Sequence, residues 1–204
     1  MSILLLIRHG QSQWNAENRF TGWVDTPLSE LGAKEAKRAG ERLAGRDIRV
    51  DRAYTSTLRR AVDTGRIVLD GLGQSDLEQI QAWELNERFY GALTGRDKAQ
   101  TAQEFGAEQV RIWRRSYDIP PPGGESLADT ARRALPYFER EIIPATRELG
   151  TVLVAAHGNS LRAIMKELEG ISDDDIVSLE IPTGVPILYT MDDGTPTGKE
   201  ILDD

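Results

Sequence analysis

The chain has 204 residues, no cysteine and a net charge of −8. That length suits one domain, or at most two small ones, with room for a substantial core. The lack of cysteine excludes a disulfide framework and a thiolate metal site, and the acidic balance argues against nucleic acid and anionic membrane surfaces as partners. The N-terminal apolar run, residues 3–7, is closed by Arg8. It is too short for a signal peptide, and nothing in the chain matches the roughly 20 apolar residues of a membrane-spanning helix. A cytoplasmic location is therefore expected.

Residues 3–7 form a continuous apolar run, as a strand buried on both faces requires. Residues 9–28, punctuated by Gly10, Asn15, Asn18, Gly22 and Pro27, read as loop. Ser29 caps a predicted helix reaching about Gly45, with Ala36, Ala39 and Leu43 on one face. A short strand is expected over 52–55, then a helix capped by Ser56 or Thr57 and ended by Gly71 and Gly73. The polar middle holds a strand near Ile80 and helices over 97–105 and 108–115. The run Pro120-Pro121-Pro122-Gly123-Gly124 is a rigid break, read as a tight surface turn rather than a domain boundary. Residues 126–149 read as a helix interrupted at Pro136 or Pro144. Residues 151–156 are a second buried strand, 160–168 a helix and 187–191 a last strand, after which the chain frays into acidic residues. This alternation implies an α/β fold, a mainly parallel central sheet with helices on both faces, as a single domain over 1–204.

His9 and His157 are the two histidines of the chain. Each ends a predicted buried strand and is followed by glycine, and in open α/β sheets ligands bind beyond the carboxyl ends of the strands. A lone histidine is more often a hydrogen-bonded structural residue; two with the same local grammar point to one shared site. Metal binding has little support, since no histidine pair stands at helical spacing. A serine triad has little either, because Gly158-Asn159-Ser160-Leu161-Arg162 lacks the second glycine of a nucleophile elbow. A P-loop is absent, and Gly71-Leu72-Gly73 meets Asp76 where a dinucleotide fingerprint needs a third glycine. Histidine as a phosphoryl-accepting nucleophile is left. A neutral imidazole attacks phosphorus well if its other nitrogen is fixed by a hydrogen bond. Cations must offset the phosphoryl charge, each worth about 4 kcal/mol at an effective dielectric near 20 before desolvation. Arg8 adjoins His9. Arg59 and Arg60 are helix neighbours about 100° apart, so one of them faces the site, whereas Arg114 and Arg115 stand near a helix end and can both reach it.

The stretches Leu6-Ile7-Arg8-His9-Gly10-Gln11-Ser12 and Ala156-His157-Gly158-Asn159 resemble the histidine phosphatase superfamily. Within it, Arg19-Phe20-Thr21-Gly22-Trp23, Thr55-Ser56-Thr57-Leu58-Arg59-Arg60-Ala61, Leu85-Asn86-Glu87-Arg88-Phe89-Tyr90-Gly91 and Trp113-Arg114-Arg115 resemble the cofactor-dependent phosphoglycerate mutases. The resemblance implies that family's fold and a catalytic set of His9, Glu87, His157, Arg8 and Arg60. His9 would be the phosphorylated nucleophile, Glu87 the general acid and base, and His157 the partner of the transferring phosphoryl group. It further implies ligand contacts from Arg8, Ser12, Asn15, Thr21, Gly22, Arg60, Glu87, Arg88, Tyr90, Lys98, Arg114, Arg115, Gly158 and Asn159. The plainer reading of Glu87 is a salt bridge with Arg88. The implied reaction interconverts 3-phosphoglycerate and 2-phosphoglycerate, primed by 2,3-bisphosphoglycerate, with no metal, a small phosphorylated carboxylate as partner and a homodimer as assembly. A phosphatase of the same superfamily is the alternative. Two features depart from fuller members: a short segment between Arg115 and Glu125, and no extended tail beyond Asp204.

Overall fold

Apolar residues on alternating sides of β1 (Ser2–Arg8) and β4 (Thr151–Ala156) place these strands at the centre of the sheet. Leu4, Leu6, Val152 and Val154 enter one core, whereas Leu5, Ile7, Leu153 and Ala155 enter the other, and all eight are fully buried. This is the pattern of a sheet covered on both faces. The computed structural model describes residues 1–203. Among them, β1 and β4 are joined by β2 (Arg52–Thr55), β3 (Gln79–Gln81), β5 (Pro186–Asp192) and β6 (Thr195–Ile201) in one sheet of order β3-β2-β4-β1-β5-β6. The first four strands of that order run parallel; β5 is antiparallel to β1, and β6 is antiparallel to β5. The sheet is thus mainly parallel, as the alternation of elements implies.

The chain does not fray after residue 191. It turns back at Asp193 and Gly194, with φ of +45° and +79°, and β6 pairs along β5. Asp-Gly is the turn pair that favours a two-residue hairpin. The strand itself is hidden from a pattern search because it lies at an exposed sheet edge and carries almost no apolar residues.

Helices α1 (Gln13–Ala16), α2 (Glu30–Ala44), α3 (Arg59–Gly71), α4 (Lys98–Phe105) and α5 (Ala107–Arg115) occupy the first part of the chain, and α6 (Leu127–Tyr137), α7 (Ile143–Glu148) and α8 (Gly158–Glu169) the rest. Ala39 and Leu43 of α2 and Val68 and Leu69 of α3 cover one face, whereas Tyr137 of α6, Ala145 of α7 and Leu161, Ile164 and Met165 of α8 cover the other. Ser29 caps α2, its side chain accepting from Gly32 N, as its position before the periodic run indicates. The expected cap of α3 is wrong. Its N-cap is Leu58, with no side-chain bond of its own, and the orphan N–H of Arg59 is taken by Asp25 Oδ1 at 2.7 Å from a distant loop. Residues 126–149 are interrupted where proline demands it: a π-helical turn, Phe138–Ile142, follows Pro136, and Pro144 sits in the first turn of α7, where its missing N–H is harmless. The Pro-Gly run is a turn laid against residues 89–92, with Ala92 N on the Pro122 carbonyl and Glu125 N on the Phe89 carbonyl.

Candidate active site

The register of β1 against β4 pairs Arg8 with Ala156, so His9 and His157 leave the sheet side by side at its carboxyl end. Their ring centroids are 4.9 Å apart. Gly10 after His9 has a cause other than ligand approach. A Cβ there would lie 2.2 Å from the Gly32 carbonyl oxygen, and one on Gly32 would lie 2.0 Å from that of Gln11, so two glycines let the loop after β1 press onto the first turn of α2.

His9 is buried, with 2% of its surface exposed. Its Nδ1 lies 2.7 Å from the Gly10 carbonyl oxygen, an obligate acceptor, so Nδ1 carries the proton and Nε2 the lone pair. Arg60 Nε donates toward that Nε2 at 3.3 Å. The Arg60 guanidinium is itself buried and held by the carbonyls of Gly22 (2.8 Å) and Val24 (2.9 Å). Burial, then the charges of Arg60 and Arg8, hold the His9 pKa well below its ordinary value, which keeps the ring neutral. His157 is pushed the same way by burial and by Arg60. Its Nε2 lies 2.7 Å from Ser56 Oγ, which also accepts from Leu58 N at 3.2 Å, while its Nδ1 has no partner among the described residues. Arg60 itself is drawn down to about 10, chiefly by burial, and remains a cation at neutral pH.

In front of the histidines opens a cleft. Of the residues expected from sequence, Arg8, His9, Asn15, Thr21, Gly22, Arg60 and Glu87 line it, as do Tyr90, Lys98, Arg114, Arg115, Gly158 and Asn159. Three do not. His157 lies behind His9. Ser12 is fully buried and caps α1, accepting from Asn15 N at 3.2 Å while Asn15 Oδ1 accepts from Ser12 N at 3.1 Å, so it orients Asn15 and does not face the cleft. Arg88 is buried behind Tyr90, with its guanidinium 4.9 Å from the Tyr90 ring and donating to the Arg114 carbonyl at 2.9 Å. Arg60 and not Arg59 faces the cleft; Arg59 is exposed beside Asp63. Arg114 and Arg115 both line it, at the end of α5.

Glu87 does not form the salt bridge with Arg88. Its Oε1 accepts three N–H groups instead: the Arg88 backbone at 2.7 Å, the Asn159 backbone at 3.2 Å and Asn159 Nδ2 at 2.9 Å. Oε2 is the oxygen turned toward Gly158, 3.8 Å from where a Cβ would stand on that residue. Lys98 stands at the N-terminus of α4, against the helix dipole. Burial, and then the nearby charges of Arg114 and Arg8, draw its pKa down to about 8.

Arg19, Phe20, Arg162, Leu179, Glu180 and Ile181, not among the expected site residues, also line the cleft. The segment 176–181 grips three arginines. The Ile181 carbonyl accepts Arg8 Nη1 at 2.7 Å, the Ile176 carbonyl accepts Arg162 Nη2, and Glu180 pairs with Arg115. Backbone acceptors leave no mark in residue type, so this wall carried no signal. Arg162 carried one: it stands one helical turn after Asn159. Among the described residues no group of three or more His, Cys, Asp or Glu side chains could hold a metal, and no helix is long and apolar enough to cross a membrane.

Comparison with known proteins agrees with this geometry. A family model described as histidine phosphatase superfamily (branch 1) matches residues 4–204. The chain is 53% identical to a protein of Schizosaccharomyces pombe named phosphoglycerate mutase, over 99% of this chain and 96% of that one. It is 54% identical to a protein of Chelativorans sp. named 2,3-bisphosphoglycerate-dependent phosphoglycerate mutase, over 98% of both. A solved mycobacterial glucosyl-3-phosphoglycerate phosphatase superposes with a TM-score of 0.84 at 27% identity, over 100% of this chain and 98% of that one. With two histidines paired at adjacent parallel strand ends and a family match over nearly its whole length, the chain belongs to the histidine phosphatase superfamily.

Proposed function

We propose that the chain is a 2,3-bisphosphoglycerate-dependent phosphoglycerate mutase, an isomerase that interconverts 3-phosphoglycerate and 2-phosphoglycerate through a phosphorylated His9. The observation that carries this is likeness over nearly the whole chain, at 53% and 54% identity, to proteins named for that activity, twice the 27% shared with the solved phosphatase. A small phosphorylated carboxylate is the substrate, and a homodimer in the cytoplasm is the proposed setting.

The cleft suits an anion of that kind. Arg8 Nε and Thr21 Oγ1, on two lining residues, and His157 Nδ1 behind them are buried polar atoms without a partner among the described residues. Such atoms are costly unless a ligand satisfies them. When bound, 2,3-bisphosphoglycerate supplies the phosphoryl group that primes His9; Arg8, Arg60 and Asn15 would hold that group, and Lys98, Arg114, Arg115, Tyr90, Thr21 and Gly22 would hold the carboxylate and second phosphate. His9 Nε2 offers the lone pair while the Gly10 carbonyl fixes the ring through Nδ1. Transfer to a substrate hydroxyl breaks the bond between Nε2 and phosphorus and forms one from oxygen to phosphorus, and Glu87 takes the hydroxyl proton. Return from the neighbouring position reverses both steps, with Glu87 giving the proton back. With Ser56 Oγ–H donating to Nε2 of His157, that ring presents Nδ1–H as a donor for the phosphoryl oxygens.

Isomerisation of 3-phosphoglycerate by the purified protein, with and without the bisphosphate, tests this against a phosphatase, which releases inorganic phosphate instead. The reading requires bisphosphate-dependent isomerisation. His9→Ala should abolish turnover and acid-labile labelling by phosphate; labelling that survives moves the nucleophile elsewhere.

A further inference from the structure

Glu87 depends on Asn159, and Asn159 has two ways to sit. With Nδ2 toward Glu87 Oε1, the amide donates to the carboxylate; flipped by 180°, it would set its own oxygen against that oxygen. Something must choose between the two. Arg162, one turn further along α8, donates through Nη1 to Asn159 Oδ1 at 3.3 Å. A guanidinium is donor-only, so the flipped amide would face it with N–H against N–H. Arg162 therefore selects the rotamer that donates to Glu87. Its own place is fixed from the far side, where Nη2 donates to the Ile176 carbonyl in the segment that walls the cleft. Only 5% of Arg162 is exposed, and burying a cation is unfavourable unless it has work to do.

From this chain of donors we infer that Arg162 is a positioning residue for the reaction: it orients the Asn159 amide, and the amide in turn holds the Glu87 carboxylate at the angle needed to exchange a proton with the substrate hydroxyl. The inference rests on the mutase reading, in which Glu87 works in both half-reactions. It also joins Glu87 to the segment 176–181 through two side chains, so that movement of that wall reaches the acid–base group.

Arg162→Met keeps much of the side-chain volume and removes the donors. Its kcat for isomerisation is expected to fall about tenfold, with KM changed less than about twofold. The limb of the pH–kcat profile governed by Glu87 should move up by about half a pH unit, because the ionised carboxylate has lost a well-placed donor. Asn159→Ala should reproduce that shift, and adding Arg162→Met to it should have no further effect on kcat, since both act through one amide. A lowered melting temperature with wild-type kcat and pH profile would make Arg162 merely structural and overturn the inference. So would a loss confined to KM, which marks direct ligand contact, or multiplying effects in the double variant. If Arg162→Met does not fold, Asn159→Ala decides alone: a wild-type limb there also overturns it. Wild-type protein without bisphosphate-dependent isomerisation would sink the mutase reading instead, before any variant is compared.

Discussion

His9 and His157 are kept neutral by the buried, cation-rich surroundings they share. Burial and the charges of Arg60 and Arg8 all disfavour imidazolium, so the His9 lone pair survives at pH values where a free histidine is protonated. Stability depends on this. The unfolded chain takes up protons on both histidines below pH 6.5 and the folded chain does not, so acid favours unfolding. Each ring should add a slope of about 1.4 kcal/mol per pH unit on acidification from pH 6.5 toward its folded value. Urea unfolding at pH 7.0 and 5.5 measures it, and replacing His157 with Gln should flatten the slope by about half; equal slopes would mean that the ring is already charged in the fold. Lys98 titrates from the other side. Its pKa is drawn down to about 8, so the free enzyme loses this cation just above neutrality. KM for 3-phosphoglycerate should therefore rise above pH 8, and Lys98→Arg should abolish that rise; a pH-independent KM for the wild type between 7 and 9 would remove Lys98 from the anion site.

Elements place these residues with a precision that residue types do not announce. The Ser29 cap and the helix breaks near Pro136 and Pro144 were legible because each rests on local chemistry: a hydroxyl before a periodic run and a missing N–H. The cap of α3 was not, because Asp25 arrives from 34 residues away. Nor was the start of α8 at Gly158, two residues before the expected one, where His157 occupies the N-cap position. Ser12 shows a related limit. It sits inside a motif of reactive residues yet spends its hydroxyl on capping α1. The glycine pair at the site is the firmest test at this scale. Gly10→Ala forces a methyl group to 2.2 Å from the Gly32 carbonyl oxygen. It should destabilise the fold by about 2–3 kcal/mol, as overpacking does, and displace His9 enough to lower kcat. Chemical denaturation together with turnover checks both, and a fully stable variant would show that the loop after β1 is free to move away from α2.

Across the whole molecule, a net charge of −8 surrounds a cleft lined by seven cations, Arg8, Arg19, Arg60, Lys98, Arg114, Arg115 and Arg162, against Glu87 and Glu180. A cleft lined by cations focuses a local positive potential that draws in an anion over distances comparable to the screening length, so association should weaken as salt is added. Raising ionic strength from about 0.01 M to about 0.1 M shortens the screening length from about 30 Å to about 10 Å. It should lower kcat/KM for 3-phosphoglycerate at least about threefold with kcat nearly constant; a flat response would mean that the cluster does not govern binding. The α/β class, the two strand ends, the histidine pair and Arg60 with its neighbours were determined by the sequence itself, because buried runs and reactive residue types are local and carry their meaning in order. The tertiary structure alone decided that Ser12 and Arg88 support the site from behind. It also decided that β6 closes the sheet and that the wall at 176–181 grips three arginines. Those outcomes depend on carbonyls, packing distances and partners far apart in the chain, none of which is written in residue type.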